Sequence, residues 1–326
     1  MTAEQKADFI EGYYNEGKGY GDDLMYTMPL SKSTEVLYYN KTFFDANGLT
    51  VPTTWAELEE TCKKIKEIDP ASIPLGYDSE ANWFITMCEQ YGSDYTSATG
   101  DHFLFDNAKN KEFVKMFREW YQKGYVTTQN IYGAYTSGLF TATEGTKSYM
   151  SIGSTGGANH QRPTKDEAGE YLFDVGIATI PQVNTAAPKV ISQGPSVVMF
   201  QDSNPQEVVA SWLVVKYLTT TVEFQAEFSM TSGYAPVLKS VDTVPAYADF
   251  LANANGGDNI TALSTKVALQ QKDAYYVSPA FNGSSTARDE VGGLLTAALS
   301  ADDNGDVDAL INRLFKEAIE ECEYNN

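Results

Sequence analysis

Short β-rich runs alternate along this chain with helices whose ends are clearly marked, and that alternation limits the fold more than any single motif does. The β-rich runs are EVLYYN (35–40), SYMSIG (148–153), FDVGIATIP (173–181) and PSVVMF (195–200). Thr54 opens TTWAELEETCKKIKEI as a helix cap, with Glu57 three residues on as its capping-box partner. Leu58, Cys62, Ile65 and Ile68 then share one face. Phe113, Phe117 and Trp120 form a stripe in NKEFVKMFREWYQKG, which stops at Gly124. In SNPQEVVASWLVVKYLTT, Pro205 falls in the first turn, where its missing N–H costs least. The last helix turns Val307, Leu310, Leu314 and Ala318 inward. Strands alternating with helices in this way predict an α/β fold with largely parallel sheets. NTAAPKVISQG (184–194) joins two strands without an intervening helix and reads as a connection between domains.

With 326 residues there is room for one large or two medium domains. Lys and Arg number 23 against 44 Asp and Glu, so the net charge of -21 repels nucleic acid and anionic membrane surfaces. A small anion is still compatible with it, because one Arg can dominate a local site. No apolar stretch approaches the roughly 20 residues of a membrane helix, and the amino terminus does not resemble a signal peptide. Cys62, Cys88 and Cys322 have the spacing of neither a disulfide framework nor a zinc site and read as buried thiols. With His102 and His160 the only histidines, His-based chemistry has little room. The 21 Tyr, 16 Phe and 4 Trp suit flat, hydrogen-bonding pocket walls as well as cores.

Three motifs carry possible chemistry. GYYNEGKG (12–19) has the frame of a phosphate-binding loop, but Gly19 stands where Ser or Thr holds magnesium and no strand precedes it. DDNGDVD (302–308) resembles half of a calcium loop; Val307 in the glycine position and Arg313 in the position of the bidentate Glu exclude it, leaving a turn that caps the last helix. IGSTGG (152–157) fits neither a dinucleotide nor a nucleophile-elbow pattern. It offers backbone N–H groups and two hydroxyls at a strand end, which suits a ligand's oxygens and a tight structural turn equally. Abundant carboxylates keep a glycoside hydrolase as a rival, and a surface protein with no small ligand is a second.

Taken in order, MPLSKSTEVLYYNKTFFDANGLTVPTTWAELEE (28–60), DSEANWFITMCEQYG, GLFTATEGTKSYMSIGSTGG, YLFDVGIATIPQ, ISQGPSVVMF, SWLVVKYLTTTVEFQAEFSMTSGYAPV and SPAFNGSSTARDEVGGLL resemble the family 1 extracellular solute-binding proteins of ABC importers. Within that family the pattern is most similar to the binding proteins for glycerol-3-phosphate and glycerophosphodiesters. The resemblance rests on Ser33 and Thr34 before VLYYN, Trp83, the loop Ser154, Thr155 and Gly156, Gly194, Tyr234 in SGYAPV and Arg288. It implies that these residues hold the ligand's phosphate and glycerol oxygens, with Arg288 giving a two-pronged contact and Tyr234 and Trp83 offering aromatic faces. Two departures are Thr155 in place of a Ser and QGPS in place of a Gly-Gly-Ala stretch. The plainer alternatives are an Arg288 paired with Asp289 or Glu290 at the surface, and aromatics that belong to the core.

The resemblance further implies a two-lobed periplasmic-binding-protein-like fold of type II. Residues 1–36 and 196–242 would form an incomplete first lobe and residues 37–193 and 245–326 the second, with hinge crossings near 36–38, 193–196 and 242–245. Family members usually carry an export signal, often a lipid-bearing Cys, and about a hundred further residues of the first lobe, whose absence would leave apolar faces exposed. The implied protein is a monomeric, non-catalytic receptor without metal or cofactor. It would sit extracellularly or in the periplasm, anchored to the membrane, and hand a carbohydrate or glycerol phosphate to ABC permease subunits.

Overall fold

A computed structural model describes residues 1–20, 22, 24–302 and 305–325. The architecture is mixed α/β, organised on one long strand. In chain order the strands are β1 (Met28–Pro29), β2 (Ser33–Asn40), β3 (Leu75–Tyr77), β4 (Val126–Thr128), β5 (Met150–Ser154), β6 (Val175–Thr179), β7 (Val190–Gln193), β8 (Ser196–Val197) and β9 (Tyr275–Tyr276). The main sheet runs β4-β3-β5-β2-β7-β9, and β6 joins the other end of the β2 edge that β7 occupies. The first six residues of β2 are buried, so VLY reads as an unbroken apolar run instead of an alternating one.

The expectation of largely parallel sheets needs correction. β3 pairs in parallel with β4 and β5, and β7 with β9, but every partner of β2 is antiparallel. The reason lies in NTAAPKVISQG: β6 and β7 have no helix between them and run the same way along one edge of β2. That stretch therefore continues an edge before the chain leaves the sheet through Gly194 and Pro195 to β8, which pairs with β1 in a small separate sheet. The opposite passage, from β1 to β2, occupies residues 30–32.

The helix signals hold in detail. Thr54 and Glu57 form the reciprocal capping box, with Glu57 N–H donating to Thr54 Oγ1 at 3.2 Å and Thr54 N–H to Glu57 Oε2 at 3.1 Å. Leu58, Cys62 and Ile65 are buried, whereas Ile68, the last residue of that helix, is exposed. Gly124 follows the helix Ala108–Gln122 with a φ of 70°, and Asn204 caps the helix Pro205–Thr220. Glu11–Glu16 is helical, so GYYNEGKG forms no phosphate cradle. Asp306 caps the helix Val307–Tyr324; Asp303 and Asn304 of DDNGDVD lie outside the described residues. All three cysteines are buried free thiols. Along the last helix Leu310 and Ala318 are buried, and Val307 and Leu314 pack half-buried against the same core.

That core is the larger of the molecule's apolar clusters. It lies between the main sheet and the helices Trp55–Ile68, Glu80–Tyr91, Ala108–Gln122, Ser284–Ser300 and Val307–Tyr324. A buried Arg118 ties two of these helices together: its guanidinium donates to the Ala298 carbonyl at 2.6 Å and the Ala301 carbonyl at 2.9 Å, closing the carboxyl end of Ser284–Ser300. A second cluster gathers Phe9, Tyr13, Met28, Val215, Ala226, Val237, Leu238, Val241 and Tyr247. Tyr247 belongs to the helix Pro245–Ala252, which the expected boundary at 245 assigns to the other lobe. Beside this cluster, Val209, Leu213, Val214, Tyr217 and Phe200 are exposed, Phe200 to 88%.

Candidate functional site

A cavity of about 510 Å³ opens where the end of β5, the amino ends of the helices Glu80–Tyr91 and Ser284–Ser300, and the loop after Ser232 converge. Ser154, Gly156, Tyr234 and Arg288 of the expected site line it, together with Glu35, Asp78, Asn82, Gln161 and Gln193. Ser154 accepts from Gly156 N–H at 3.2 Å, turning the chain from β5 into a short 3-10 helix, Thr155–Gln161. IGSTGG is therefore a structural turn and a cavity wall at once. The Tyr234 ring lies directly over Gly156: a Cβ there would sit 3.1 Å from ring carbons. Glycine is what allows the aromatic to cover the loop.

Arg288 donates to Asn82 Oδ1, and no ion pair reaches it among the described residues, Asp289 and Glu290 included. The Asn82 amide nitrogen donates in turn to Glu35 Oε1 at 2.8 Å and Gln193 Oε1 at 2.9 Å, while Glu35 Oε2 accepts from Tyr77 at 2.7 Å. Glu35 is 1% exposed. Burial pushes its pKa up to about 7, against the pull of the Tyr77 and Asn82 hydrogen bonds and the Arg288 charge. Asp78 accepts from Thr136 N–H and Oγ1, both at 2.7 Å. Burial raises its pKa too, against those two bonds. Gln161, another lining residue, is buried, and its Oε1 has no hydrogen-bond partner among the described residues.

The other expected site residues serve the framework. Trp83 is 0% exposed and stacks on Tyr77 at 4.9 Å and packs against Phe117 at 3.8 Å, so it is core and not a cavity wall. One step along a helix turns a side chain by about 100°, and it is the preceding residue, Asn82, that reaches the cavity. Ser33 pairs with Gln193 across the strands. Thr34 N–H donates to Thr155 Oγ1 at 3.3 Å and Thr34 Oγ1 to the Ile191 carbonyl at 2.7 Å. Thr34 and Thr155 are both fully buried, and neither is among the residues lining the cavity. Gly194, at φ 116°, would bring a Cβ within 2.6 Å of the Ser31 carbonyl oxygen, so it lets two crossing strands touch. Gly194 lines an adjoining cavity of about 580 Å³ that shares Gln193 and Arg288 with the first. At the same crossing, the buried Lys32 pairs with Glu16 at 2.7 Å and donates to Ser196 Oγ at 3.2 Å.

Sequence reasoning missed Glu35, Asp78, Asn82, Gln161 and Gln193. The one usable signal was Glu35 itself, a charge at the head of an otherwise apolar strand. Asn82 and Gln161 become significant only through partners far along the chain.

Residues 2–255 match the model of a family described as bacterial extracellular solute-binding protein. The chain belongs to that family. A binding protein of Brucella abortus is 26% identical over 263 residues, covering 76% of this chain and 59% of the relative. The sn-glycerol-3-phosphate-binding periplasmic protein UgpB of Rhizobium meliloti is 27% identical over 259 residues, covering 75% of this chain and 55% of its own length. The chain thus spans little more than half the length of these relatives. Among solved structures, UgpB of Mycobacterium tuberculosis in complex with glycerophosphocholine superimposes with a TM-score of 0.75 at 19% identity, covering 98% of this chain and 75% of that one. Maltose-bound MalE3 of T. maritima gives 0.74 at 15% identity, covering 96% and 76%. The fold is that of the two-lobed maltose- and UgpB-type binding proteins, and members of the family are binding proteins and not enzymes. No helix among the described residues is long and apolar enough to cross a membrane.

Proposed function

We propose that this chain captures a small polyhydroxylated or glycerol-phosphate-type solute in the cavity under Tyr234, as part of the substrate-binding protein of an ABC importer. The observation that carries this reading is one arrangement: among the described residues Arg288 has no ion pair and the buried Gln161 Oε1 no partner, and an aromatic ring lies over the Gly156 loop. Such a site reads oxygens with fixed donors and acceptors and covers a sugar or glycerol face with a ring. Ser154, Gly156, Tyr234 and Arg288 are the ligand contacts we retain, with Asn82, Glu35 and Gln161 added. Ser33, Thr34, Thr155 and Gly194 act at the strand crossings, where the two lobes would bend toward each other when a solute binds. The closed form is then the one that permease subunits recognise outside the cell, the protein acting as a membrane-anchored monomer.

A thermal-shift screen with maltose, ribitol, sn-glycerol-3-phosphate and glycerophosphocholine tests the reading, since a ligand of the folded state raises the melting temperature. Arg288→Ala is expected to abolish binding of a phosphorylated solute and barely change that of a neutral one; equal effects would remove Arg288 from its role. A second reading, glycoside hydrolysis, has one observation in its favour: Glu35 and Asp78 line one cavity and both resist ionisation. Turnover of chromogenic glycosides would establish it at the expense of the receptor.

A further inference from the structure

Glu35 sits in the wall of the cavity, yet among the described residues it forms no ion pair with Arg288 there. Asn82 stands between the two. Its amide oxygen is taken by Arg288 and its amide nitrogen by Glu35, so hydrogen bonds run from Arg288 through Asn82 to Glu35, which also accepts from Tyr77 on its other oxygen. A solute anion docking on Arg288 therefore lands one amide away from a second negative charge, out of water, where repulsion is strong. An uncharged hydroxyl meets the opposite situation, because an ionised Glu35 is the better acceptor for it.

We propose that Glu35 sets the charge of the solute this cavity accepts: protonated, it leaves Arg288 free to hold an anion, and ionised, it turns the same cavity toward uncharged polyhydroxylated solutes. The inference rests on the receptor reading above. The proton comes from solvent and is bound together with the anion. Burial holds the Glu35 pKa near 7, so both states are within reach in ordinary surroundings. The titratable and charged groups facing it are Tyr77 and Asp78 from β3 and its end, Tyr276 from β9 and Arg288 from the helix Ser284–Ser300. The burial of Tyr77 and Tyr276 drives their own pKa values well above the ordinary range, which keeps both neutral while Glu35 titrates. Ser154 of β5 lies opposite Glu35 in the sheet, and Gln193 of β7 shares the Asn82 amide with it, both uncharged.

Titration calorimetry with ribonate and glycerophosphocholine, whose anionic groups keep their charge from about pH 6 to 9, and with ribitol as the uncharged probe, tests this. Ribonate affinity is expected to fall about tenfold or more from about pH 6 to pH 8.5. Proton uptake per ribonate should be small near pH 6, where Glu35 is already protonated, and should approach one near pH 8.5, read from buffers of different ionisation heat. Ribitol affinity should hold or rise over the same range. Glu35→Gln should flatten the ribonate profile and strengthen its binding at the alkaline end by about tenfold. Equal slopes for ribonate and ribitol, or a slope that survives Glu35→Gln, would overturn the proposal while leaving the receptor reading intact. If Glu35→Gln does not fold, proton uptake by the unaltered protein decides. Failure of every probe to bind at any pH removes the receptor reading and this inference with it.

Discussion

Two helices of nearly equal length show how unlike the two sides of this molecule are. Ala108–Gln122 buries Phe113, Val114, Phe117, Arg118 and Trp120 in the larger core, whereas Pro205–Thr220 buries only Val215 and Thr219 and turns Val209, Leu213, Val214 and Tyr217 to solvent. The first is amphipathic with its apolar face covered; the second is apolar nearly all round with most of its surface uncovered. The cavity follows the same division. Glu35, Asp78, Asn82 and Arg288 rise from strands and helices that close the larger core, while Tyr234 reaches over from a loop beside the smaller cluster. In the proposed receptor, chemical discrimination thus falls on the well-packed side, and the covering aromatic is held by the side with less packing to fix it.

Substitutions can break this contrast, the largest first. Trp83→Ala should cost about 3–5 kcal/mol in urea unfolding, because it empties the centre of the aromatic stack in the larger core. A binding loss without such destabilisation would return Trp83 to the cavity. Next is the pH dependence carried by Glu35. Its folded pKa of about 7 lies above the ordinary carboxyl value of 4.5, so the stability it contributes is full below about 4.5 and is lost as pH rises through 7. Over that window unaltered protein should lose about 3 kcal/mol that Glu35→Gln does not lose, measured by denaturation at several pH values; parallel curves for the two would contradict it. Gly156→Ala forces its Cβ against the Tyr234 ring and should weaken solute binding about tenfold, with core stability nearly unchanged. Leu213→Ser should be the smallest, within about 0.5 kcal/mol, since that side chain is exposed. It should also reduce binding of a hydrophobic dye, and a large loss of stability would mean that the face is covered in solution.

How far the sequence led depended on the range of the interaction. The capping box at Thr54 and Glu57 and the stripe of Phe113, Phe117 and Trp120 are local patterns, and each is present as read. Antiparallel pairing of β2 was hidden, because nothing in EVLYYN says which strands will flank it. At the site, Ser154, Gly156, Tyr234 and Arg288 were legible through resemblance and do converge. For Trp83 the resemblance implies a cavity face and the plainer alternative the core; helix phase puts Trp83 in the core and Asn82 at the cavity. Glu35 was passed over because its meaning depends on Tyr77, 42 residues away, and on Asn82, 47 residues away.

The central claim is that the cavity between Arg288 and Tyr234 holds a small solute. Titration calorimetry of maltose, ribitol, sn-glycerol-3-phosphate and glycerophosphocholine into the unaltered protein and the Gly156→Ala variant tests it most directly. Saturable one-to-one binding of at least one solute, weakened about tenfold in the variant, is expected. Absence of binding by all four, or equal affinity in the two proteins, would contradict it.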